Sequence, residues 1–401
     1  MRILFCNYEY PPLGGGGGVM NAMLAQEMSK RHDITVLTSQ GLGLPKESVE
    51  GNVRVIRVPV LFREQEAVAN LNSMFAYILA GTQIGKKLIK AEPFDVINTH
   101  FVLPTGPVGD ALARSARVPN VLSLHGGDLY DPSKFLSPHR HLMLRVWIKR
   151  LLKRADLIVG QSRDTLANMR RFYLSEMGGV RIPLAIERPP VETGSRAEYG
   201  FDQDDVLLVT VGRLVTRKGL PQLIEMMEHF KGEKVHLLVM GSGPEEEALK
   251  ADVAQRQLTS QIHFQGFVEE SEKFRLLRMS DLYVSTSQHE GFGLVFLEAM
   301  ACGLPVICYD YGGQTDFLRD HKTGYLIPLN DLDTFYDKCR TLINNSELRR
   351  TMGDHNHIYA EEFFIETCAA NYEQVFLKAI EMKSGHRATH MIAAKAQKNT
   401  A

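Results

Sequence analysis

What most constrains this chain is an alternation that runs through nearly all of it. Short apolar runs of strand length alternate with longer segments of helical period. The strand candidates of the first half are 3–7, 34–39, 53–60, 96–100, 121–125, 157–162 and 180–185, with helical patterns at 19–31, 68–90, 106–117, 140–154 and 163–174. Continuous apolar strands joined through helices are buried on both faces, which implies parallel sheets covered by helices on either side. The alternation lapses over 186–205, where Pro189, Pro190, Gly194, Ser195, Gly200 and Asp202 supply linker chemistry. It restarts with strands at 206–212, 235–241, 262–266, 282–287, 305–310 and 324–328. Two parallel α/β domains follow, 1–190 and 191–360. A helix is expected at 361–382, and 383–401, which lacks acidic residues, is expected as a flexible tail.

Composition narrows the class. With 401 residues, 44% of them hydrophobic and 23% charged, the chain has material for two cores and is not a disordered one. No run approaches the roughly 18 apolar residues of a membrane span. The first residues turn polar at Asn7 and Glu9, so they read as a strand rather than a signal peptide. Five cysteines with no zinc spacing fit a reducing cytoplasm. The net charge of −1 argues against a dedicated nucleic-acid binder. That sum hides opposite halves, however: residues 1–190 hold 24 Lys plus Arg against 16 Asp plus Glu, and the remainder is acidic.

In open parallel sheets ligands bind outside the carboxyl ends of the strands, so the loops after strands are where chemistry is sought. The first strand is followed by five glycines, Gly14–Gly18, and a helix from Val19. Consecutive glycines turn their N–H groups toward one anion, and the helix N-terminus adds partial positive charge. The spacing is not a dinucleotide fingerprint. After the strand at 206–212, Arg213 and Lys218 are placed to hold a diphosphate, while Arg217 reads as solvated. Gly241, in Gly-Ser-Gly-Pro, and Phe267-Val268 after the next strand offer two walls for a flat base. In Glu290-Gly291-Phe292-Gly293-Leu294, a strand ends, a turn follows and a helix begins. The N–H groups of Leu294 and Val295 face an anion, and Glu298, one turn deeper, suits the hydroxyls of a ribose. Glu298 paired with a basic neighbour is the plainer alternative. His125 ends a strand and precedes Gly-Gly-Asp; Asp128 either orients it or caps the next element.

These segments, in this order, resemble the retaining glycosyltransferases of family four, with Glu290 and Glu298 standing as their E-x7-E motif. The resemblance covers nearly the whole chain. It implies the GT-B fold, two Rossmann-like parallel α/β domains facing an interdomain cleft, with 1–190 on the acceptor side and 191–360 binding the donor. It also implies a terminal helix that crosses back to the first domain and accounts for Phe363 and Phe364. The implied activity is a retaining, metal-independent, hexosyltransferase-type transfer from a nucleotide-diphosphate sugar to a hydroxyl, without a cofactor, in polysaccharide or glycoconjugate assembly. The implied roles are catalytic for His125, Glu290, Arg213 and Lys218. Gly15, Gly16, Gly241, Phe267, Val268, Gly293, Leu294, Val295 and Glu298 would bind donor or nucleotide. One departure is Ile182-Pro183-Leu184-Ala185, where many members carry Ile-Pro-Asn-Gly. A sugar phosphorylase or sucrose-type enzyme on the same fold, and a non-catalytic nucleotide-sugar-binding partner, are the alternatives.

The acceptor side has one further signal. Residues 139–154 hold six Lys or Arg and no acid, with Leu144, Trp147, Ile148, Leu151 and Leu152 in one helical stripe. The plain reading is a core helix with a solvated basic face. The alternative is a helix that docks on anionic lipid at the inner face of the membrane, with a sugar or a lipid-linked sugar as acceptor.

Overall fold

The computed structural model describes residues 1–41, 43–60, 71–131, 137–192 and 194–398. Contacts divide the chain into two units: residues 1–185 with 365–401, and residues 186–364. Each has its own sheet. The expected boundaries at 190 and 360 therefore move to 185 and 364, where the chain changes unit.

The first sheet has the order β3-β4-β2-β1-β5-β6-β7-β8. Its strands are β1 (Arg2–Asn7), β2 (Asp33–Ser39), β3 (Glu47–Glu50), β4 (Val53–Val58), β5 (Val96–His100), β6 (Asn120–Leu124), β7 (Leu157–Gly160) and β8 (Val180–Arg181). All pairings are parallel except β3 with β4. The edge strand β3 was not legible, because Glu47-Ser48-Val49-Glu50 carries no buried face and Val49 is exposed. The run at 180–185 is a strand for two residues only, and Pro183, which has no N–H to give a ladder, follows. The strand β1 lies between β2 and β5, so the chain reverses its winding there and the glycine loop opens at that switch point.

The helix after β1 spans Gly16–Ser29, three residues earlier than expected. Helix Leu71–Ala91 begins within the predicted span, whose first residues, 68–70, lie outside the described ones. The last helix runs Ile365–Lys398, so the flexible tail expected from 383 is helical through Lys398. Ala, Lys, Gln and Met dominate that stretch and favour a helix, and Lys383 reaches Asp156 at 2.8 Å. This helix packs on the first sheet: Phe376 sits edge-on to Phe5, and Tyr372 donates to Ser123 Oγ at 3.1 Å. Phe363 and Phe364 are not part of it. They belong to the second unit, where Phe363 packs on Phe317 and Phe364 stacks under Arg188.

The second sheet has the order β11-β10-β9-β12-β13-β14, all parallel. Its strands are β9 (Val206–Val211), β10 (Val235–Met240), β11 (Ile262–Gly266), β12 (Leu282–Ser285), β13 (Val306–Tyr309) and β14 (Gly324–Ile327). Its core is built from Leu208, Leu237, Val239, Val284 and Ile307 on the strands, with Leu223, Met227, Phe335 and Leu342 from the helices around them and Phe230 from a turn. The switch point lies between β9 and β12, and the loops after those two strands carry most of the residues singled out by sequence. Among the described residues, no helix is long and apolar enough to cross a membrane.

Candidate functional site

In the second unit the loops after β9 and β12 are joined through Glu290. Its carboxylate is buried, takes Lys218 Nζ at 2.5 Å and Ser287 Oγ at 2.8 Å, and has Arg217 Nη1 at 3.4 Å. Burial pushes the carboxyl pKa up, but the charges of Lys218 and Arg217 outweigh it and hold Glu290 below its ordinary value. Glu290 is thus a dry, ionised carboxylate. Its backbone is fixed as well: it bridges Gly312, and Gly313 N–H donates to its carbonyl at 2.8 Å. Gly312 has φ +119°, and a Cβ there would meet the Glu290 carbonyl at 2.6 Å, so a side chain at 312 would push Glu290 out of register.

Arg217 is not the solvated residue expected. Its guanidinium also donates to the His289 carbonyl, tying the β9 loop to the segment that carries Glu290. Lys218, expected on a diphosphate, has its ammonium on Glu290. The Arg213 side chain is exposed and, among the described residues, has no polar partner.

Helix Leu294–Ala301 starts at Gly293, which has φ +88°. The N–H groups of Leu294 and Val295 fall in its first turn, where the helix offers no carbonyl partner. The first i→i+3 bond is Phe296 N–H to Gly293 O at 3.1 Å. One turn on, Glu298 Oε2 lies 2.9 Å from Lys273 Nζ, an ion pair without the alignment of a hydrogen bond. The plainer alternative for Glu298, a basic neighbour, is therefore present. Burial raises the Glu298 pKa, and Lys273 offsets this only in part. Lys273 was not legible as a site residue, since it lies 25 positions away on the helix Glu270–Met279.

Gly241 has a structural reason of its own. It has φ +129°, and a Cβ there would lie 2.0 Å from the Gly212 carbonyl, so it lets the β9 and β10 loops touch. Phe267, after β11, is 76% exposed and Val268 is half-buried.

In the first unit, Gly15 and Gly16 open the helix after β1, and a Cβ on either would meet nothing within 4 Å. The Gly15 N–H donates to Glu9 Oε2 at 3.2 Å, so a carboxylate of the chain itself occupies one of the amides expected to face an anion.

His125 follows β6. Its N–H donates to Asp128 Oδ1 at 3.0 Å and its carbonyl accepts from Gln161 Nε2 at 2.8 Å. Asp128 also accepts from Val102 N–H at 2.7 Å. It pins two loops by their backbones and does not touch the imidazole. Burial raises the Asp128 carboxyl to about 6. The His125 ring stacks on Phe101 with centroids 4.2 Å apart, and its Nε2 lies 3.0 Å from His100 Nδ1. Burial lowers its pKa to about 4, so the ring is neutral near pH 7. His100 was not singled out from sequence. The signal was there: Asn98 and His100 are two apart on one strand and so share a face.

The basic helix spans Leu142–Arg154. Ile148, Leu151 and Leu152 are buried against Leu122, Leu124 and Met169. Arg145 donates to the Phe172 carbonyl and Arg154 to Asp110. Lys149, Arg150 and Lys153 are exposed and have no polar side-chain partner among the described residues. Leu142, Met143 and Val146 are 73%, 86% and 61% exposed, which no solvated helix face requires.

Comparison with known proteins matches residues 15–184 to the model described as "Glycosyl transferase 4-like domain" and residues 191–357 to "Glycosyl transferases group 1". The chain is 26% identical over 385 residues to N-acetyl-alpha-D-glucosaminyl L-malate synthase of Bacillus anthracis, covering 92% of this chain and 94% of that one. Its fold is that of sucrose-phosphate synthase from Thermosynechococcus elongatus (TM-score 0.79, 21% identity, 95% of this chain and 100% of that one). It is likewise that of HepE from Anabaena in complex with UDP (TM-score 0.75, 20% identity, 94% and 100%).

Proposed function

This chain belongs to the glycosyltransferases of GT-B fold that pair a type 4-like domain with a group 1 domain, and we propose that it moves a hexose from a nucleoside-diphosphate sugar to a hydroxyl with retained configuration. The observation that carries this reading is Glu290. A buried, ionised carboxylate at the switch point of a parallel sheet, four residues before a helix N-terminus, is suited to take the hydroxyls of a sugar whose diphosphate lies on that helix. Arg213 and the N–H groups of Leu294 and Val295 then stabilise the charge that grows on the leaving diphosphate. Lys218 holds Glu290 and is within reach of the same charge. These groups supply the electrostatic work without a metal. Glu298 takes the ribose, exchanging part of its contact with Lys273. His125, neutral and held by its backbone, donates to an oxygen of the sugar. The HepE structure, solved with UDP, makes UDP the first nucleotide to try. The relative N-acetyl-alpha-D-glucosaminyl L-malate synthase, by its name, joins a sugar to a hydroxy acid, which supports a hydroxyl acceptor.

The test is direct. Glu290→Gln and Glu298→Ala are each expected to lower transfer at least a hundredfold, with Glu298→Ala also weakening nucleotide binding. Wild-type turnover in both would overturn the reading. Proton NMR of the product's anomeric centre decides retention.

The acceptor is proposed to be lipid-linked, and the chain to work at an anionic membrane surface. Exposed Leu142, Met143 and Val146 lie at the start of a helix whose Lys149, Arg150 and Lys153 are uncommitted. Leu71, Phe75 and Leu79 are also exposed, spaced four apart at the start of helix Leu71–Ala91. Both helices lead back into parallel strands of the first sheet, so their first turns lie at the carboxyl end of that sheet. Each cation near such a surface adds about 1 kcal/mol. Co-sedimentation is expected with vesicles containing phosphatidylglycerol and not with neutral ones; equal binding to both excludes the surface.

A further inference from the structure

We propose that Asn98 and His100 are positioning residues that fix the tautomer of His125, so that its Nδ1 carries the proton and is a hydrogen-bond donor. Four contacts set the direction. Tyr372 O–H donates to Ser123 Oγ at 3.1 Å, and Ser123 O–H donates to Asn98 Oδ1 at 3.1 Å. With its oxygen committed there, the Asn98 amide turns Nδ2 toward His100 Nε2, 2.7 Å away. An amide nitrogen can only donate, so His100 Nε2 is the acceptor and the neutral ring carries its proton on Nδ1. That N–H points at His125 Nε2, 3.0 Å away, which must then accept. The proton of His125 is left on Nδ1, a buried atom with no partner among the described residues.

Both rings must be neutral for this chain to run in one direction. Burial lowers the pKa of His100 well below its ordinary value, with His125 adding to the effect, and burial lowers His125 as well. The register of the sheet explains the assembly: Asn98 pairs with Val121 and His100 with Ser123, so two residues on alternate positions of β5 meet Ser123 on β6 and His125 just after it. Tyr372 enters from the helix Ile365–Lys398, so a residue 247 positions past His125 sets the far end of the chain of bonds. The unpartnered Nδ1–H is a donor without an acceptor, which a substrate oxygen supplies. A His125 protonated on Nε2 instead would present a lone pair there and repel that oxygen.

The activity part of this inference rests on the transferase reading; the tautomer part does not. The full chain labelled with 15N-histidine is examined by long-range proton–nitrogen NMR, with the His125 signals identified by their loss in His125→Gln. The wild type is expected to show His125 protonated on Nδ1 only. Asn98→Leu removes the donor to His100 Nε2 and is expected to give mixed tautomers at His125, with kcat down at least tenfold and the KM for donor within twofold. Should Asn98→Leu not fold, Ser123→Ala, which frees the amide to turn over, is expected to give the same mixture. A wild-type His125 protonated on Nε2 overturns the proposal, as does a variant that keeps the pure Nδ1–H form. An unchanged kcat in a variant with mixed tautomers leaves the relay standing and overturns the role of His125 in transfer.

Discussion

At the scale of single residues, the positions that matter are held by partners remote in sequence. Glu290 and Lys218 are 72 residues apart and lie 2.5 Å apart in the fold. The Gly-x-Gly turn and the helix after Glu290 were legible because they are local. The Lys218 and Arg217 contacts were not, because nothing in a sequence states which cation a carboxylate will meet. Reading Lys218 as a diphosphate ligand was reasonable for a cation at the end of β9. In the folded chain it keeps a buried carboxylate ionised. Removing one member of a buried pair strands the other, which costs about 3 kcal/mol and exceeds the loss from removing both. Lys218→Met is therefore expected to destabilise the protein by roughly that amount, since Arg217 at 3.4 Å compensates only in part. The double variant Lys218→Met, Glu290→Gln is expected to be more stable than Lys218→Met alone. Urea unfolding of the four proteins of the cycle measures it; additive costs would mean the pair is not coupled.

At the scale of elements, β5 and β6 end in His100, followed by Phe101, and in Leu124, followed by His125. The strands were legible from their apolar runs, and their polar ends were legible as residues at a strand's carboxyl edge. Their joint consequence, two neutral imidazoles packed ring to ring with centroids 5.2 Å apart, needed the register. It makes stability depend on pH with a definite sign. In the unfolded chain His125 titrates near its ordinary value of about 6.5; in the fold it does so at about 4. Between those values the unfolded chain binds more protons. Stability is therefore full above about pH 6.5 and falls as pH drops through the folded value. For His125 the loss is up to about 3 kcal/mol, and His100, shifted the same way, adds to it. His125→Gln is expected to flatten the slope of unfolding free energy between pH 6.5 and 4. The same slope in variant and wild type would show that the ring is not held neutral.

At the scale of the whole molecule, the sequence lapse at 186–205 was a correct sign of a boundary, but placement of that boundary depended on contacts. The near-zero net charge is the sum of a basic first half and an acidic second half, so it excluded less than it first suggested. The two units also differ in how the chain builds them. The first is discontinuous, since its sheet is covered by the helix from Ile365 that returns after the second unit is complete. The second, 186–364, is one uninterrupted segment containing Glu290, Lys218, Arg217, Lys273 and Glu298 with all the partners described for them. It closes on itself, since Ile186 N–H donates to the Phe363 carbonyl at 3.0 Å, so its first and last residues meet. The fragment 186–364 is thus expected to fold alone and to bind nucleotide alone. A ligand at 100 times its Kd adds about 2.7 kcal/mol, which for a segment of this length raises Tm by roughly 5–10 °C. Circular dichroism with and without UDP, GDP and ADP measures both points. The chain cut after Phe364 loses the cover of Phe5 and the Tyr372 contact to Ser123 but keeps the whole of the second unit. It is expected to show an early unfolding step for the first unit and an unchanged nucleotide-dependent step for the second. A fragment 186–364 that is unfolded, or that folds and gains nothing from any nucleotide, would show that the second unit does not hold the donor site by itself.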